Sequence, residues 1–364
     1  MKRFFLIILL FSLFSCAPAP DLHPTNIPFA TTALQTITPT VTATLPQATK
    51  TKEFINIVQR EADPAEWKQF YGKDMVVKIG LDRKQRMWIA LSGGEIGFFD
   101  GSKWVLFSGK DYGLPGKPFD MAIAPDGSVW LAGRHALSRY QNGHWDVFPM
   151  PGVTETAFPR LAIDSSGVVW VTTPLCYCGN SINKFDGKNW SYIMLWTTES
   201  TLDVQQLLFT PDGALWAPDD GGTLGRYAGK AWKSYSTTEL WSTDYYGFGM
   251  RIASDQHGNI FGIYTGNSWI AQIDRSGHVS KIPYSTKLQL NETRLRLFVD
   301  RQDTIWVNAC LKDKPNACLA YYKDNQWVSF IDLPFEAVAD INELADETLL
   351  VATTRGLFQY KPAK

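Results

Sequence analysis

The 364-residue chain is poor in histidine and cysteine, with five of each. It has no excess of charge: 35 Lys and Arg stand against 36 Asp and Glu. After its first fifteen residues it has no apolar run long enough to cross a membrane. Each shortage excludes something. Balanced charge leaves no electrostatic footprint for nucleic acid, so no nucleic-acid partner is expected. His23 lies in a Thr/Pro-rich stretch, and His144, His257 and His278 lie in tight turns. Only His135 falls in a longer loop. One imidazole does not make the His/Glu pair of a lyase or a His-based metal site. Asp219 and Asp220, ahead of Gly221 and Gly222, offer two carboxylates to a cation, but the sequence does not supply the ligand count that a cation site needs. Neither a nucleophile elbow nor a phosphate loop is present. The expectation is a protein that is not an enzyme and holds no cofactor or metal. A hydrophobic content of 45% excludes wholesale disorder.

The first residues carry an address. Lys2 and Arg3 precede the apolar run Phe4–Phe14, which is too short for a stable span. It ends in Leu13-Phe14-Ser15-Cys16. This resembles the bacterial lipobox, with Phe14 bulkier than usual. The resemblance implies removal of residues 1–15 and a diacylglycerol on Cys16, making the membrane a partner. The alternative is an ordinary secretory signal followed by an incidental cysteine. Residues 16–60 are rich in Thr and Pro and show no hydrophobic period, so they are expected to form a disordered tether. The expected location is extracytoplasmic, on the cell surface or in the periplasm.

Residues 61–364 repeat. A tryptophan or its substitute recurs at Trp88, Trp130, Trp170, Trp216, Phe261, Trp306 and Leu350, spaced by 40–46 residues. A second recurs at Trp104, Trp145, Trp190, Trp232, Val279 and Trp327. The unit reads as four strands, the length of a propeller blade. There are seven copies of the first feature and six of the second. The missing outer strand is supplied by Trp67-Lys68-Gln69-Phe70, which matches Trp104-Val105-Leu106-Phe107. The fold expected is therefore all-β: a seven-bladed β-propeller whose N-terminal strand completes the last blade and removes the open edges.

The pattern Asp-x-x-Gly-x-x-Trp, followed by Gly-Leu-x-x-Tyr/Phe-Asp-Gly-x-x-Trp, resembles the two-component-regulator propeller repeat. The likeness covers most of residues 67–361. It is good in blades 1 to 4, weaker in blade 6 and poor in blades 5 and 7. It implies an extracytoplasmic sensing domain, often linked to polysaccharide. A fainter likeness to streptogramin lyase propellers rests on Asn259-Ile260-Phe261 and Ile273-Asp274-Arg275-Ser276-Gly277.

Aligning the first strands brings out one position. It holds Lys78, Asp120, Arg160, Gln206, Arg251, Arg296 and Asp340, each followed by Ile, Met or Leu. These seven polar residues are expected to ring the mouth of the central channel. Arg160, Arg251 and Arg296 suit a carboxylate or phosphate; alternatively the ring pairs with itself. Trp196 and Trp241 lie in long links on the same face, where they either stack on a ligand or pack their loops down. The site expected is non-catalytic, for a glycan or an anionic small ligand. A protein-interaction scaffold in envelope assembly or signalling, with an envelope protein as partner, is the alternative, and a streptogramin-lyase-like enzyme is a second one. Four cysteines remain after Cys16. Cys310 and Cys318 are expected to staple a loop of blade 6. Cys176 and Cys178 form either a tight disulfide, two free thiols or a soft-metal site.

Overall fold

A computed structural model describes residues 57–150, 158–172, 181–195, 203–241, 249–285, 287–290, 295–315 and 318–362. The compact body spans Glu53–Lys364. Cys16, Trp196, Cys176 and Cys178 lie outside the described residues, as do the signal sequence and most of the tether.

Seven sheets of four or five strands make the blades. First strands of neighbouring blades lie side by side, as Val76–Leu81 of blade 1 does between Val338–Glu343 of blade 7 and Asp120–Ile123 of blade 2. Blade 1 runs Val76–Leu81, Met87–Leu91, Ile96–Phe99 and Trp104–Phe107. Blade 7 runs Val338–Glu343, Leu349–Thr353 and Gly356–Tyr360. Its fourth strand is Trp67–Tyr71, antiparallel to Gly356–Tyr360, with Trp67 opposite Tyr360 and Tyr71 opposite Leu357. The ring is closed as the repeat predicts.

The seven buried apolar clusters each join one pair of adjacent blades. A sheet that is apolar on both faces finds its partners there, so the core is a set of seams around the axis. Trp67 is buried in the seam between blades 6 and 7, against Phe335 (5.2 Å) and Tyr360 (4.6 Å between ring centroids).

The Asp-x-x-Gly-x-x-Trp pattern has a local cause. Asp164 Oδ1 accepts the backbone N–H of Ser166 and of Val168, both at 3.0 Å. Its Oδ2 accepts the indole N–H of Trp170 at 2.9 Å. Asp300 does the same with Gln302, Thr304 and Trp306. One carboxylate thus shapes the turn and orients the tryptophan. The position three before the tryptophan is left-handed. It is Gly167 in blade 3 (φ 88°) but Gln85 in blade 1 (φ 59°).

One boundary is corrected. Residues 57–60, expected in the tether, belong to the strand Ile57–Glu61, which pairs in parallel with Gln326–Ile331 as a fifth strand of blade 6. Arg60 fixes it. Its guanidinium donates to Glu66 (2.6 and 2.8 Å) and to the Tyr360 hydroxyl (2.9 Å), and lies over the Phe330 ring. A strand held by a buried-side ion pair has no apolar alternation to announce it.

Among the described residues, no helix is long and apolar enough to cross a membrane. Cys310 and Cys318 form the expected disulfide. Cys310 lies in the strand Ala309–Leu311, which pairs with Leu288–Leu290 outside the blade pattern.

Candidate functional site

The start of each inner strand delivers one side chain to the channel mouth. All seven predicted ring residues line one cavity of about 400 Å³, a volume in the range of small-ligand sites. The ring therefore exists, but its members do two different jobs.

Five of them tie a blade to the next. The Lys78 ammonium lies 3.0 Å from Asp120 Oδ1. Asp120 Oδ2 accepts the Leu161 N–H at 2.9 Å. The Gln206 amide accepts the Ile252 N–H (3.1 Å) and donates to the Ile252 carbonyl (2.9 Å). Arg296 donates through Nε to the Ala339 carbonyl. Asp340 Oδ2 accepts the Ile79 N–H at 2.8 Å. These contacts link blades 1 to 2, 2 to 3, 4 to 5, 6 to 7 and 7 to 1. Asp120 holds the Lys78 ammonium above its ordinary pKa, against the opposing effect of burial. Burial raises the Asp340 carboxyl, opposed by the charges of Lys78 and Arg296.

Arg160 and Arg251 make no such link among the described residues. Arg251 donates to the Met250 carbonyl of its own strand at 2.8 Å. Arg160 is held by its backbone, whose N–H donates to Thr172 Oγ1 at 2.9 Å, and its guanidinium donates to no described residue. Burial first, then the Arg296 and Arg160 charges, pull Arg251 down to about 10. It stays cationic at neutral pH. Asp203 faces Arg160; burial and then Asp220 raise its carboxyl, while Arg160 lowers it. The positive charge that links no blades thus sits on blades 3 and 5, with Asp203 facing part of it.

Trp241 is a correction. It ends the short helix Thr237–Trp241 and is fully buried. Its indole N–H donates to the Gly222 carbonyl at 2.9 Å and its ring stacks on Tyr264 at 5.5 Å. Ser236 and Glu239 cap the helix reciprocally, which turns Leu240 and Trp241 inward. This tryptophan packs its loop and offers no face to a ligand.

Two aromatic residues near the mouth went unnoticed in the sequence. Phe119, just before Asp120, lines the cavity. Phe158, two residues before Arg160, is 54% exposed and packs edge-on against Phe119 at 5.5 Å. Arg134 lies over both rings, at 5.4 and 6.0 Å. The available signal was an aromatic ahead of the ring position in two successive blade links. Among the described residues, no group of three or more His, Cys, Asp or Glu side chains is placed to hold a metal.

No protein-family model and no curated protein matches the sequence. Solved structures do match in shape. Virginiamycin B lyase from Staphylococcus aureus superposes with a TM-score of 0.63 at 15% identity, over 82% of this chain and 99% of that one. The extracellular domain of a putative one-component system from B. thetaiotaomicron gives 0.61 at 13% identity, over 83% of this chain and 40% of that one. YCF48 bound to D1 peptide gives 0.61 at 14%, over 85% and 100%. This chain has their propeller fold. At such identities the likeness is one of architecture, and the site must be argued from its own residues.

Proposed function

We propose that this propeller is an extracytoplasmic, non-catalytic receptor for a small oxyanion-bearing ligand at its channel mouth. The observation that carries this reading is the pair Arg160 and Arg251, two guanidiniums that face a cavity of about 400 Å³ and take no part in linking blades. Guanidinium groups bind carboxylate or phosphate through paired hydrogen bonds. The binding-only role is supported by the described lining, which contains no His, Cys, Ser or Tyr. Its two carboxylates, Asp120 and Asp340, are engaged by backbone N–H groups. Burial of Trp241 weakens the neutral-glycan version of the reading. The location is supported by the Cys310–Cys318 disulfide, by the lipobox-like start and by the extracellular neighbour. A protein-interaction scaffold is the second reading, supported by a neighbour solved with a bound peptide.

The test is calorimetric titration at low ionic strength with phosphate, sulfate, propionate, glucuronate and 3-phenylpropionate. At least one should bind, and the double variant Arg160→Gln/Arg251→Gln should weaken it about tenfold or more. Binding that ignores both substitutions, or no binding across the panel, overturns the reading.

A further inference from the structure

We infer that the ligand is a monocarboxylate carrying an aromatic group, with the carboxylate between Arg160 and Arg251 and the ring against Phe119 and Phe158. This rests on the anion reading above and narrows it on three observations.

The first is charge. Two guanidiniums are unlinked, and Asp203 faces one of them. The remainder balances a single negative charge better than the two of a phosphate monoester. The second is hydrogen bonding. A sugar is recognised by polar side chains that can reach its hydroxyls. Gln206 spends both amide atoms on Ile252, and Gln205 turns its amide nitrogen to Asp203 at 3.3 Å. Those are the neutral polar side chains of the described lining, so little is left to recognise hydroxyls. The third is the apolar ledge. Phe119 lines the same cavity as Arg160 and Arg251. Phe158 is more than half exposed and packs edge-on against Phe119. Arg134 occupies a place over both rings, leaving their remaining surface to an incoming flat group. A single exposed Phe is ordinary, but a pair continuous with a cationic cavity is a recognition feature.

The experiment compares 3-phenylpropionate, propionate, glucuronate and phenyl phosphate on the full protein, by calorimetry. The variants are Phe158→Ser and Arg160→Gln/Arg251→Gln, each checked for an unchanged circular-dichroism melt. The expected order has 3-phenylpropionate binding about tenfold more tightly than propionate or glucuronate, the worth of roughly 50 Å² of apolar contact. Phe158→Ser should remove most of that advantage and leave propionate unchanged. If propionate, glucuronate or phenyl phosphate equals 3-phenylpropionate, and the arginine variant still weakens it, the aryl-carboxylate inference fails while the anion reading stands. If 3-phenylpropionate binds regardless of the two arginines, both fail; if none of the four binds, the aryl-carboxylate inference fails, and the anion reading fails with it only when phosphate and sulfate do not bind either.

Discussion

Asp340 Oδ2 accepts the backbone N–H of Ile79 at 2.8 Å across the seam where the last blade meets the first. Asp120 repeats the contact on Leu161 between blades 2 and 3. Replacing Asp340 by Ala would leave a buried N–H unpaired and remove a carboxylate whose charge acts on Lys78 and Arg296. The expected loss is about 2–4 kcal/mol of unfolding free energy. Asp340→Asn keeps an acceptor oxygen and should lose less than half as much. Urea midpoints of the two variants read the difference; equal losses would show that the acceptor is not what matters.

Closure depends on two further residues. Trp67→Ala empties a site among Phe330, Phe335 and Tyr360 and should cost about 3–5 kcal/mol. Gly356 has φ 115°, and a Cβ there would collide with the Tyr71 carbonyl of the closing strand. Gly356→Ala should therefore speed amide exchange in Trp67–Tyr71 more than in blades 2 to 5. Uniform protection across the ring would contradict it.

The repeat turns offer a gain. Gln85 and Glu347 hold positive φ (59° and 68°) where blade 3 has Gly167. Gln85→Gly and Glu347→Gly should each raise stability by up to ~1 kcal/mol by relieving the left-handed conformation. Gly167→Ala should lower it by a similar amount. Thermal unfolding distinguishes the signs.

Asp219 supplies a pH dependence. Burial, with the Asp220 charge adding to it, raises its carboxyl to about 6, against the N–H groups of Thr223, Gly221 and Gly222. Among the described residues, its Oδ2 is buried without a hydrogen-bond partner. Asp220 is the nearer of the facing charges, with Asp203 joined to Asp220 through its N–H at 3.1 Å and Arg160 beyond. Below the unfolded carboxylate range both states hold the proton. As pH rises through that range toward about 6, the unfolded chain releases it first, so the folded state loses stability by roughly 3 kcal/mol in all. Asp219→Asn lacks this loss. The melting temperature of the variant relative to the native protein should therefore rise between about pH 4 and 6 and then level off. A difference independent of pH would refute the assignment.

The blade count, the closing strand and the seven ring positions were legible because a packed repeat forces large residues and strand starts into register. Trp88, Trp130 and Trp170 report blade seams directly. What the ring residues do was not legible. Asp120 and Arg160 occupy equivalent positions, and only the neighbouring backbone shows that one is a link and the other is unlinked. Trp241 was ambiguous for a different reason: a one-turn helix is too short for its inward face to show as a period. The strand Ile57–Glu61 was hidden by its polarity, since its partner is a backbone edge and its anchor is the Arg60–Glu66 ion pair.

Pairing Trp67 with Tyr360 also sets a timetable. A ribosome that has made Trp67–Tyr71 must add almost three hundred more residues before the strand that receives it exists. At ~5–20 residues per second that is roughly 15–60 s. For all of that time an aromatic-rich segment is without its native mate, and blades 1 to 6 can form in order while the annulus stays open.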